Sequence, residues 1–369
     1  MSRPVHGGNL VWAARLARCA PTELIDFSAS ISPLGPPRSV CEAIQAAFSL
    51  IGAYPDTAYG ELRQALAQHH QVSAEAILPG NGAAELLTWA ARDLAALPAG
   101  CFCLSPGFSD YDRALQAFGC QPIKIPLLRD QPLDLAAFEA ELSDLTRCGL
   151  LLNNPHNPTG MMLGRAEVKP LLSRFGLVVV DEAFMDFVAP ADEQSVIDWV
   201  GEFPNLVVIR SLTKFYSMPG VRLGYAIAQP ATLQRWQQWR DPWSVNVLAA
   251  AAGVAAIQDT DFQQQTWNWL AKANAQLYEG LNKIPGLKAL PSCANFLLVA
   301  CEMSATALQC QLLQRHKIYI RDCMSFAELG DRYFRVAVKT ITDNQRLLAV
   351  IADVLPSLES VETGSEHAD

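Results

Sequence analysis

The sequence lacks the features that mark several classes of protein. It has no run approaching the roughly 18 apolar residues of a membrane-spanning helix, and its start, Met1 to Asn9, has no apolar segment of the kind found in a signal peptide. Basic residues are outnumbered, with 28 Lys and Arg against 37 Asp and Glu and a net charge of −9. We therefore expect a cytoplasmic protein that binds neither membranes nor nucleic acid.

Cysteine gives no sign of a metal site or a disulfide framework. The ten cysteines are scattered, and no Cys-x-x-Cys pair is present, so we expect no zinc site and ordinary reduced thiols. Half of the 369 residues are hydrophobic and 18% are charged, which supplies ample apolar material for folded cores. The length predicts two domains.

Short apolar runs alternate with helix-like stretches through the middle of the chain. The runs are rich in Val, Ile and Leu and indicate buried strands at Cys101–Ser105, Pro122–Leu127, Leu150–Asn153, Leu177–Val180, Leu206–Arg210 and Leu223–Ala228. The helix-like stretches are Ala83–Ala95, Asp110–Phe118, Leu133–Leu145, Arg165–Arg174 and Ala231–Trp239. This alternation predicts an α/β fold with a doubly wound, mostly parallel sheet.

Beyond about Thr260 the pattern becomes that of a smaller α+β domain. Its predicted helices are Asp261–Leu281, Ala305–Arg315 and Asp343–Leu358, and its predicted strands are Leu287–Leu290, Asn295–Cys301, Ile318–Ile320 and Tyr333–Ala337. We expect residues 1–48 to form an N-terminal arm and part of the small domain, 49–260 the large domain, and 261–358 the rest of the small domain. The acidic end, 359–369, is expected to be a disordered tail.

Four turns carry candidate functional residues. Gly82 lies in a glycine turn before a predicted helix, Asn157 lies in a Pro-rich turn after a strand, Asp181 ends a buried strand, and Lys214 lies just past another. Alone, each has an ordinary explanation as a plain turn, a helix cap or a solvated loop. Ligands of open α/β sheets bind beyond the carboxyl ends of the strands, so the placement of all four at one predicted edge favours a shared site.

Together these motifs resemble the pyridoxal-phosphate enzymes of the aspartate aminotransferase fold type, within the group related to histidinol-phosphate aminotransferase. The resemblance extends from about His6 to Leu355. It implies a fold type I transferase that depends on pyridoxal 5'-phosphate (PLP), with a large doubly wound domain and a smaller α+β domain. By this resemblance Lys214 would form the Schiff base with the cofactor, and Asp181 would pair with its pyridine nitrogen.

The resemblance also implies the other contacts of the cofactor. Asn157 would bond the ring hydroxyl, and Phe108 would stack on the ring. The phosphate would be held by Gly82, Ala83, Ser211 and Arg222, and by Tyr54 from the neighbouring subunit of a homodimer.

Further segments resemble the threonine-phosphate decarboxylases of this group, which make aminopropanol phosphate for cobalamin biosynthesis. The string His6-Gly-Gly-Asn9 is the most distinctive, and the others are Asp26-Phe-Ser28, Pro33-Leu-Gly35, Pro242-Trp-Ser-Val-Asn246 and Ile320-Arg321. The resemblance implies a small phosphorylated amino acid as substrate, with Arg335 as a clamp for its carboxylate. The substrate-binding residues would be His6, Gly7, Gly8, Asn9, Ser32, Asn157, Arg321 and Arg335.

Two observations bear on which reaction is catalysed. Phe184 stands where histidinol-phosphate aminotransferases usually have a tyrosine, which favours decarboxylation of L-threonine O-3-phosphate to (R)-1-amino-2-propanol phosphate. Ser30 and Ser32 stand where the decarboxylase pattern has asparagines, which argues against this decarboxylation. The alternatives are histidinol-phosphate aminotransferase or a related class I/II aminotransferase and, more remotely, a non-catalytic PLP-binding protein.

Overall fold

The computed structural model describes Pro4, residues 6–127, Leu133 and residues 135–365. Within these residues the strands, in chain order, are β1 (Ile25–Asp26), β2 (Ile77–Gly80), β3 (Cys101–Ser105), β4 (Ile123–Pro126), β5 (Gly149–Asn153), β6 (Leu177–Asp181), β7 (Leu206–Ser211), β8 (Gly224–Ala228), β9 (Leu287–Ala289), β10 (Phe296–Cys301), β11 (Ile318–Tyr319), β12 (Arg321–Asp322) and β13 (Tyr333–Ala337).

The α-helices of the described residues are α1 (Leu10–Ala17), α2 (Arg38–Ala47), α3 (Gly60–His70), α4 (Ala83–Ala95), α5 (Ser109–Gln116), α6 (Leu135–Glu141), α7 (Arg165–Leu172), α8 (Leu212–Phe215), α9 (Pro230–Trp239), α10 (Val247–Gln258), α11 (Thr260–Asn282), α12 (Ala305–His316) and α13 (Ile341–Ser365). Within the part of the chain described, no helix is both long enough and apolar enough to cross a membrane.

The chain forms two compact units. The large unit consists of Leu34–Asn157 and Met161–Thr266, and the small unit consists of Pro158–Gly160 with the described residues before Leu34 and after Thr266. The predicted boundaries at 48/49 and 260/261 therefore differ from those of the structure. The first boundary lies at 33/34 and not at 48/49, because α2 packs on α10 of the large unit, where Ser39 donates to Oδ2 of Asp259 at 2.5 Å. The second falls inside the continuous helix α11.

The large unit is built on a seven-stranded sheet with the order β2-β8-β7-β6-β5-β3-β4. Neighbouring strands from β4 to β7 are parallel, whereas β8 runs antiparallel between β7 and β2. Strand residues alternate between faces: Val179 packs on the face covered by α4, α5 and α9. On the other face, Phe102 meets Phe138 of α6 and Phe175 edge to face. The α/β fold predicted from the sequence is confirmed.

The small unit contains two sheets. One is four-stranded and antiparallel with the order β12-β13-β10-β9, and the other is the parallel pair β1-β11. The strand predicted at Ile318–Ile320 is present as β11 but ends one residue earlier, at Tyr319, and the separate strand β12 was not predicted. The chain changes sheets at Ile320, whose carbonyl accepts a hydrogen bond from Nε2 of Gln309 at 2.8 Å instead of a strand partner.

Two predicted helices have different ends in the structure. The last helix, α13, begins at Ile341 and continues to Ser365, past the predicted end at Leu358. Residues 359–365 are thus helical, not a disordered tail, because an established helix gains a hydrogen bond with each residue that extends it. Residues 366–369 lie outside the described residues. The helix predicted at 133–145 is limited to α6, and Asp144 instead caps a short 3₁₀ turn by accepting from the N–H of Thr146.

Candidate active site

Three adjacent parallel strands of the large unit end side by side. β5 ends at Asn153, β6 at Asp181 and β7 at Ser211, and Asn153 lies directly opposite Asp181 in the register. Parallel strands bring their carboxyl ends to the same edge of a sheet, where side chains can turn from the ladder to a ligand. The structure thus gathers the predicted turns at one edge of the large sheet.

Asp181 is buried, and both of its carboxylate oxygens are hydrogen-bonded. Oδ2 accepts from the hydroxyl of Tyr111 at 2.7 Å, and Oδ1 accepts from the backbone N–H of Ala183 at 3.0 Å. Burial raises the pKa of Asp181, while the Tyr111 hydrogen bond and the charge of Lys214 oppose that rise. A carboxylate oriented in this way is suited to pairing with a protonated ring nitrogen.

Lys214 lies in α8, the short helix that follows β7. Ser211 caps this helix, since its Oγ accepts from the N–H of Thr213 and lies 2.7 Å from Oγ1 of the same residue. The Nζ of Lys214 lies 4.8 Å from the centroid of the Phe184 ring. The amine is therefore placed over an aromatic face that carries no hydroxyl.

Two asparagines hold the loop that carries Asn157. Nδ2 of Asn153 donates to the carbonyl of Asp181 at 2.9 Å, and Oδ1 of Asn153 accepts from the N–H of Asn157 at 2.7 Å. Asn154 bonds both backbone groups of Leu163, at 3.0 and 2.9 Å. The backbone of Asn157 is thus held through Asn153 to the end of β6, where Asp181 lies, and its bond to a cofactor hydroxyl stays a prediction.

A cradle for a small anion forms where α4 begins. Gly82 precedes the helix with a φ of +75°, and a Cβ at this position would lie 2.5 Å from Nη2 of Arg222. The first N–H groups of a helix have no acceptor within the helix. Those that begin at Ala83, together with the Arg222 guanidinium, can therefore bind a phosphate.

Two aromatic residues of the predicted site lie in different surroundings. Phe108 directly precedes α5, and its ring meets that of Tyr111 edge to face with centroids 5.5 Å apart. Tyr54 is 79% exposed, and its ring centroid lies 4.6 Å from that of Trp243. Stacking by Phe108 on a cofactor and a contact of Tyr54 with a partner subunit stay predictions.

A buried network of charges lies behind the strand ends. Arg210, the penultimate residue of β7, is 1% exposed. Its Nε donates to Oε2 of Glu182 at 2.8 Å, its Nη1 donates to Asp186, and its Nη2 donates to Glu193 at 2.8 Å and to Oγ of Ser195 at 2.9 Å. Burial raises the pKa of Glu182 and of Asp186, and the charge of Arg210 opposes both rises. The network joins the residue after Asp181 to the residue before Ser211.

Two arginines of the small unit lie side by side. Arg321 in β12 pairs with Arg335 in β13, and Arg321 donates to Oγ of Ser325 at 2.6 Å and to the carbonyl of Pro4 at 3.2 Å. Burial, followed by the charge of Arg321, lowers the pKa of Arg335 to about 10, so the guanidinium stays charged at neutral pH. Arg321 is buried and Arg335 is half-buried, and Asp322 lies 3.9 Å from Arg321. Two neighbouring cations beside this carboxylate favour a bound anion.

The predicted substrate strap, residues 6–9, packs against Ser28 of the same unit. A Cβ on Gly7 would lie 2.2 Å from the carbonyl oxygen of Ser28, and the N–H of Gly8 donates to Oγ of Ser28 at 2.8 Å. Asn9 caps α1, with Oδ1 accepting from the N–H of Trp12 at 3.0 Å. The Gly8 N–H and the Asn9 Oδ1 have these partners within the chain, whereas anion binding by the exposed His6, the Gly7 N–H and the Asn9 amide nitrogen stays a prediction.

Ser30 and Ser32 are both buried in the small unit. The hydroxyl of Ser30 has no hydrogen-bond partner among the described residues. A buried donor left unpaired costs free energy, which a ligand that accepts its hydrogen bond would recover. Ser30, considered above only as a departure from a pattern, is therefore a candidate ligand contact in the structure.

Sequence reasoning assigned no role to three residues of the large-unit site: Tyr111, Asn153 and Arg210. Arg210 follows the apolar run Leu206–Ile209, and a charge at the end of a buried strand usually has a buried partner, which is a usable signal. Asn153 begins the turn that carries Asn157. Tyr111 has no local signal, since its partner Asp181 is far away in sequence.

The fold and this arrangement of residues define a known class of protein. The family described as aminotransferase class I and II matches residues 22–351. The chain belongs to this family.

Individual proteins are similar to nearly the whole chain. Threonine-phosphate decarboxylase of Salmonella typhimurium is 41% identical over 96% of this chain and 97% of that protein. The adenosylcobalamin biosynthesis bifunctional protein of Leptospira interrogans is 28% identical over 96% of this chain and 41% of that protein. The crystal structure of histidinol-phosphate aminotransferase from Sinorhizobium meliloti, in complex with pyridoxal-5'-phosphate, matches with a TM-score of 0.84 and 25% identity, covering 97% of this chain and all (100%) of that chain.

Proposed function

We propose that this protein is a PLP-dependent carboxy-lyase that converts L-threonine O-3-phosphate to (R)-1-amino-2-propanol phosphate in cobalamin biosynthesis. The observation that carries this proposal is the pair Arg321 and Arg335, two arginines directly opposite each other on neighbouring strands of one unit, close enough for the charge of one to lower the pKa of the other. The substrate carries two anions, a phosphate and a carboxylate. The 41% identity to a threonine-phosphate decarboxylase supports the same reaction.

The residues of the large unit fit the cofactor. Gly82 leaves room beside Arg222 that a Cβ would fill, and the helix start at Ala83 provides N–H groups for a phosphate. The buried Asp181 offers a carboxylate for a protonated ring nitrogen, and Lys214 offers an amine on the helix after β7. These four groups match the phosphate, the pyridine nitrogen and the aldehyde of PLP.

When bound, PLP draws electrons away from the bonds at the substrate's α-carbon. Asp181 favours this by keeping the ring nitrogen protonated, because a carboxylate stabilises a neighbouring cation. In the overall reaction the bond between Cα and the carboxylate breaks, carbon dioxide leaves, and a proton is added at Cα. Lys214 holds that proton on Nζ, and such a general acid typically contributes about 10²- to 10⁴-fold.

Arg335 and Arg321 select the substrate. Arg335 binds the carboxylate that will be lost, and Arg321, with His6, binds the phosphate. A hydrogen bond to a charged group contributes about 1.5–3 kcal/mol, or roughly 10- to 150-fold in affinity. Threonine without its phosphate loses several such bonds, so it should be a very poor substrate.

Transamination is the second candidate, because the solved relative described above is an aminotransferase. Phe184 argues against it, since this ring, 4.8 Å from the Lys214 amine, has no hydroxyl to bond the cofactor. The experiment is to incubate PLP-loaded protein with threonine phosphate, and separately with histidinol phosphate and 2-oxoglutarate. We expect carbon dioxide from the first mixture and no glutamate from the second. Glutamate without carbon dioxide would refute the decarboxylase proposal in favour of the aminotransferase, and neither product would favour a non-catalytic PLP-binding protein.

Two matched variants sharpen this assay. Arg321→Gln should raise KM for threonine phosphate strongly, whereas Arg332→Gln, which removes an exposed arginine bonded to the carbonyl of Glu302, should not. Equal effects of the two changes would argue against a phosphate site at Arg321.

We also propose that the enzyme is a homodimer in which Tyr54 contributes to the partner's cofactor site. The large unit exposes a cluster of apolar side chains close together in sequence, Phe48, Leu50, Ile51 and Tyr54. Exposed apolar patches commonly mark protein interfaces. Mixing inactive Lys214→Ala subunits with inactive Tyr54→Ala subunits should restore part of the activity, and verified heterodimers without activity would contradict the shared site. A cytoplasmic location stays a prediction.

A further inference from the structure

Tyr111 contacts residues of the candidate active site but has no role in the reaction proposed above. It lies in α5 and is 4% exposed, and its hydroxyl donates to Oδ2 of Asp181 at 2.7 Å. Its ring also meets that of Phe108 edge to face. One buried side chain therefore contacts both the proposed stacking residue and the proposed partner of the pyridine nitrogen.

The surroundings fix the orientation of the Asp181 carboxylate. The N–H of Ala183 donates to Oδ1 at 3.0 Å, while Tyr111 holds Oδ2. The backbone carbonyl of Asp181 accepts from the N–H of Asn154 and from Nδ2 of Asn153, both at 2.9 Å. A carboxylate held at both oxygens and at its own backbone has little rotational freedom, so its remaining lone pairs keep a defined direction.

The charged and titratable groups around this pair come from several elements. Burial is the dominant influence on the pKa of Asp181 and raises it, whereas the charge of Lys214 in α8 lowers it and that of Asp110 in α5 adds to the rise. Burial also raises the pKa of Tyr111 well above its usual range, with the charge of Asp181 next in size, and Cys103 of β3 and Asp110 add to the rise. Tyr111 is therefore a protonated donor at any physiological pH, and its hydrogen bond is the largest opposing influence on Asp181.

We propose that Tyr111 is a positioning residue that keeps the carboxylate of Asp181 ionised and oriented toward the pyridine nitrogen of PLP. This inference rests on the proposed function, since it takes PLP to be the group bound at Asp181. The proton shared by the carboxylate and the ring nitrogen can lie on either. A hydrogen bond to the carboxylate stabilises its anion, so Tyr111 favours the arrangement in which the nitrogen holds the proton.

Removing this hydrogen bond should shift the proton toward Asp181. A hydrogen bond to a charged group corresponds to about 10- to 150-fold in an equilibrium constant. Tyr111→Phe should change the ratio of protonated to unprotonated ring nitrogen by a factor in that range. The loss of kcat should follow it, with KM for threonine phosphate much less affected, because Tyr111 bonds Asp181 and is not one of the residues proposed to bind the anions of the substrate.

The test uses holoenzyme loaded with PLP labelled with nitrogen-15 in the ring, whose NMR shift reports protonation directly. In Tyr111→Phe the signal should move toward the value of an unprotonated pyridine. The control is Tyr225→Phe, which removes another buried tyrosine hydroxyl, bonded to Nε2 of His70 at 2.7 Å. We expect Tyr225→Phe to lower stability to a similar degree and to leave the nitrogen signal in place.

A second variant tests the proposal even if the protein does not fold with phenylalanine at position 111. Replacement of Tyr111 by 3-fluorotyrosine makes the hydroxyl a stronger donor, so the signal should keep or increase its protonated character. An unchanged signal in Tyr111→Phe, or equal shifts in Tyr111→Phe and Tyr225→Phe, would overturn the proposal for Tyr111 alone. A wild-type signal of an unprotonated nitrogen, or one that Asp181→Asn does not change, would overturn the assignment of Asp181 and with it this inference.

Discussion

The buried charge network around Arg210 allows a quantitative test of how the strand ends are held together. Arg210→Leu would remove the guanidinium from Glu182, which is fully buried, and from Asp186, whose side chain is 12% exposed. Removing one partner of a buried ion pair typically costs about 3–5 kcal/mol, because the other charge is left without compensation. The free energy of unfolding of a domain is commonly about 5–15 kcal/mol in total, so a decrease of this size should be readily measurable.

The loss should depend on pH, and its sign follows from the carboxylates. Burial raises the pKa of Glu182 above its usual 4.5 and that of Asp186 above its usual 3.8 even with Arg210 present, and removal of the guanidinium raises them further. The folded state then binds more protons than the unfolded state between those usual values and the raised ones. The contribution of these two carboxyl groups to the free energy of unfolding is complete below their usual pKa values. It declines as the pH rises through their raised pKa values in the folded state. The deficit of Arg210→Leu should therefore be larger at pH 8 than at pH 5.

The assay is urea denaturation of the protein without cofactor at both pH values, followed by tryptophan fluorescence and circular dichroism. Arg38→Leu is the matched control, since it breaks an exposed ion pair with Glu42 in which the two side chains are 91% and 58% exposed. Such a helical pair contributes only about 0.3–0.5 kcal/mol. An Arg210→Leu deficit no larger than that of Arg38→Leu, or one that does not change with pH, would refute the reasoning.

Three further outcomes are expected at the cofactor site. Lys214→Ala should abolish the covalent link that borohydride fixes between protein and PLP and lower turnover by at least roughly 10³-fold; peptide mapping that finds the label on another lysine would remove the assignment. Asp181→Asn should lower turnover far more than PLP occupancy, because a neutral amide no longer favours the protonated ring, and wild-type turnover would reduce Asp181 to a structural role. Gly82→Ala should weaken PLP binding in a fluorescence titration, since its Cβ would lie 2.5 Å from Arg222 at a φ of +75°. The control Gly201→Ala, which has open space around the new Cβ, should leave PLP affinity unchanged. Equal PLP affinities of the two variants would contradict the proposed phosphate site.

The sequence predicts the large unit well because its strands are buried on both faces. A parallel strand covered by helices on each side is a continuous apolar run, and Leu177–Val180 and Leu206–Arg210 differ from β6 and β7 by one residue at the end. The carboxyl ends of such runs mark the edge at which Asp181 and Ser211 lie. Strand position and site position thus come from the same signal.

The small unit was harder to predict because its short strands depend on distant partners. The apolar run Ile318–Ile320 predicts one strand, yet β11 ends at Tyr319 and pairs with β1, while β12 begins at Arg321 and pairs with β13, so only the tertiary partners decide where each strand ends. The same holds for Asn9, whose side chain caps α1. A cap uses Oδ1 of an asparagine as acceptor and an anion contact uses its Nδ2 as donor, so the residue type alone does not show which role an asparagine has.

Asp181 and Glu182 show how adjacent carboxylates at one strand end acquire different roles. Side chains alternate between the faces of a strand, and Val179 packs in the same core cluster as Tyr111, which is the face from which Tyr111 reaches Asp181. Glu182 meets Arg210 instead. Glu182 therefore has a cation within the chain, whereas the hydrogen bonds to the Asp181 carboxylate come from neutral donors, the Tyr111 hydroxyl and a backbone N–H. A buried carboxylate bonded by neutral donors gains most from an added cation, so the proposed pairing of Asp181 with a protonated ring nitrogen predicts that added PLP raises the free energy of unfolding as its concentration rises above Kd.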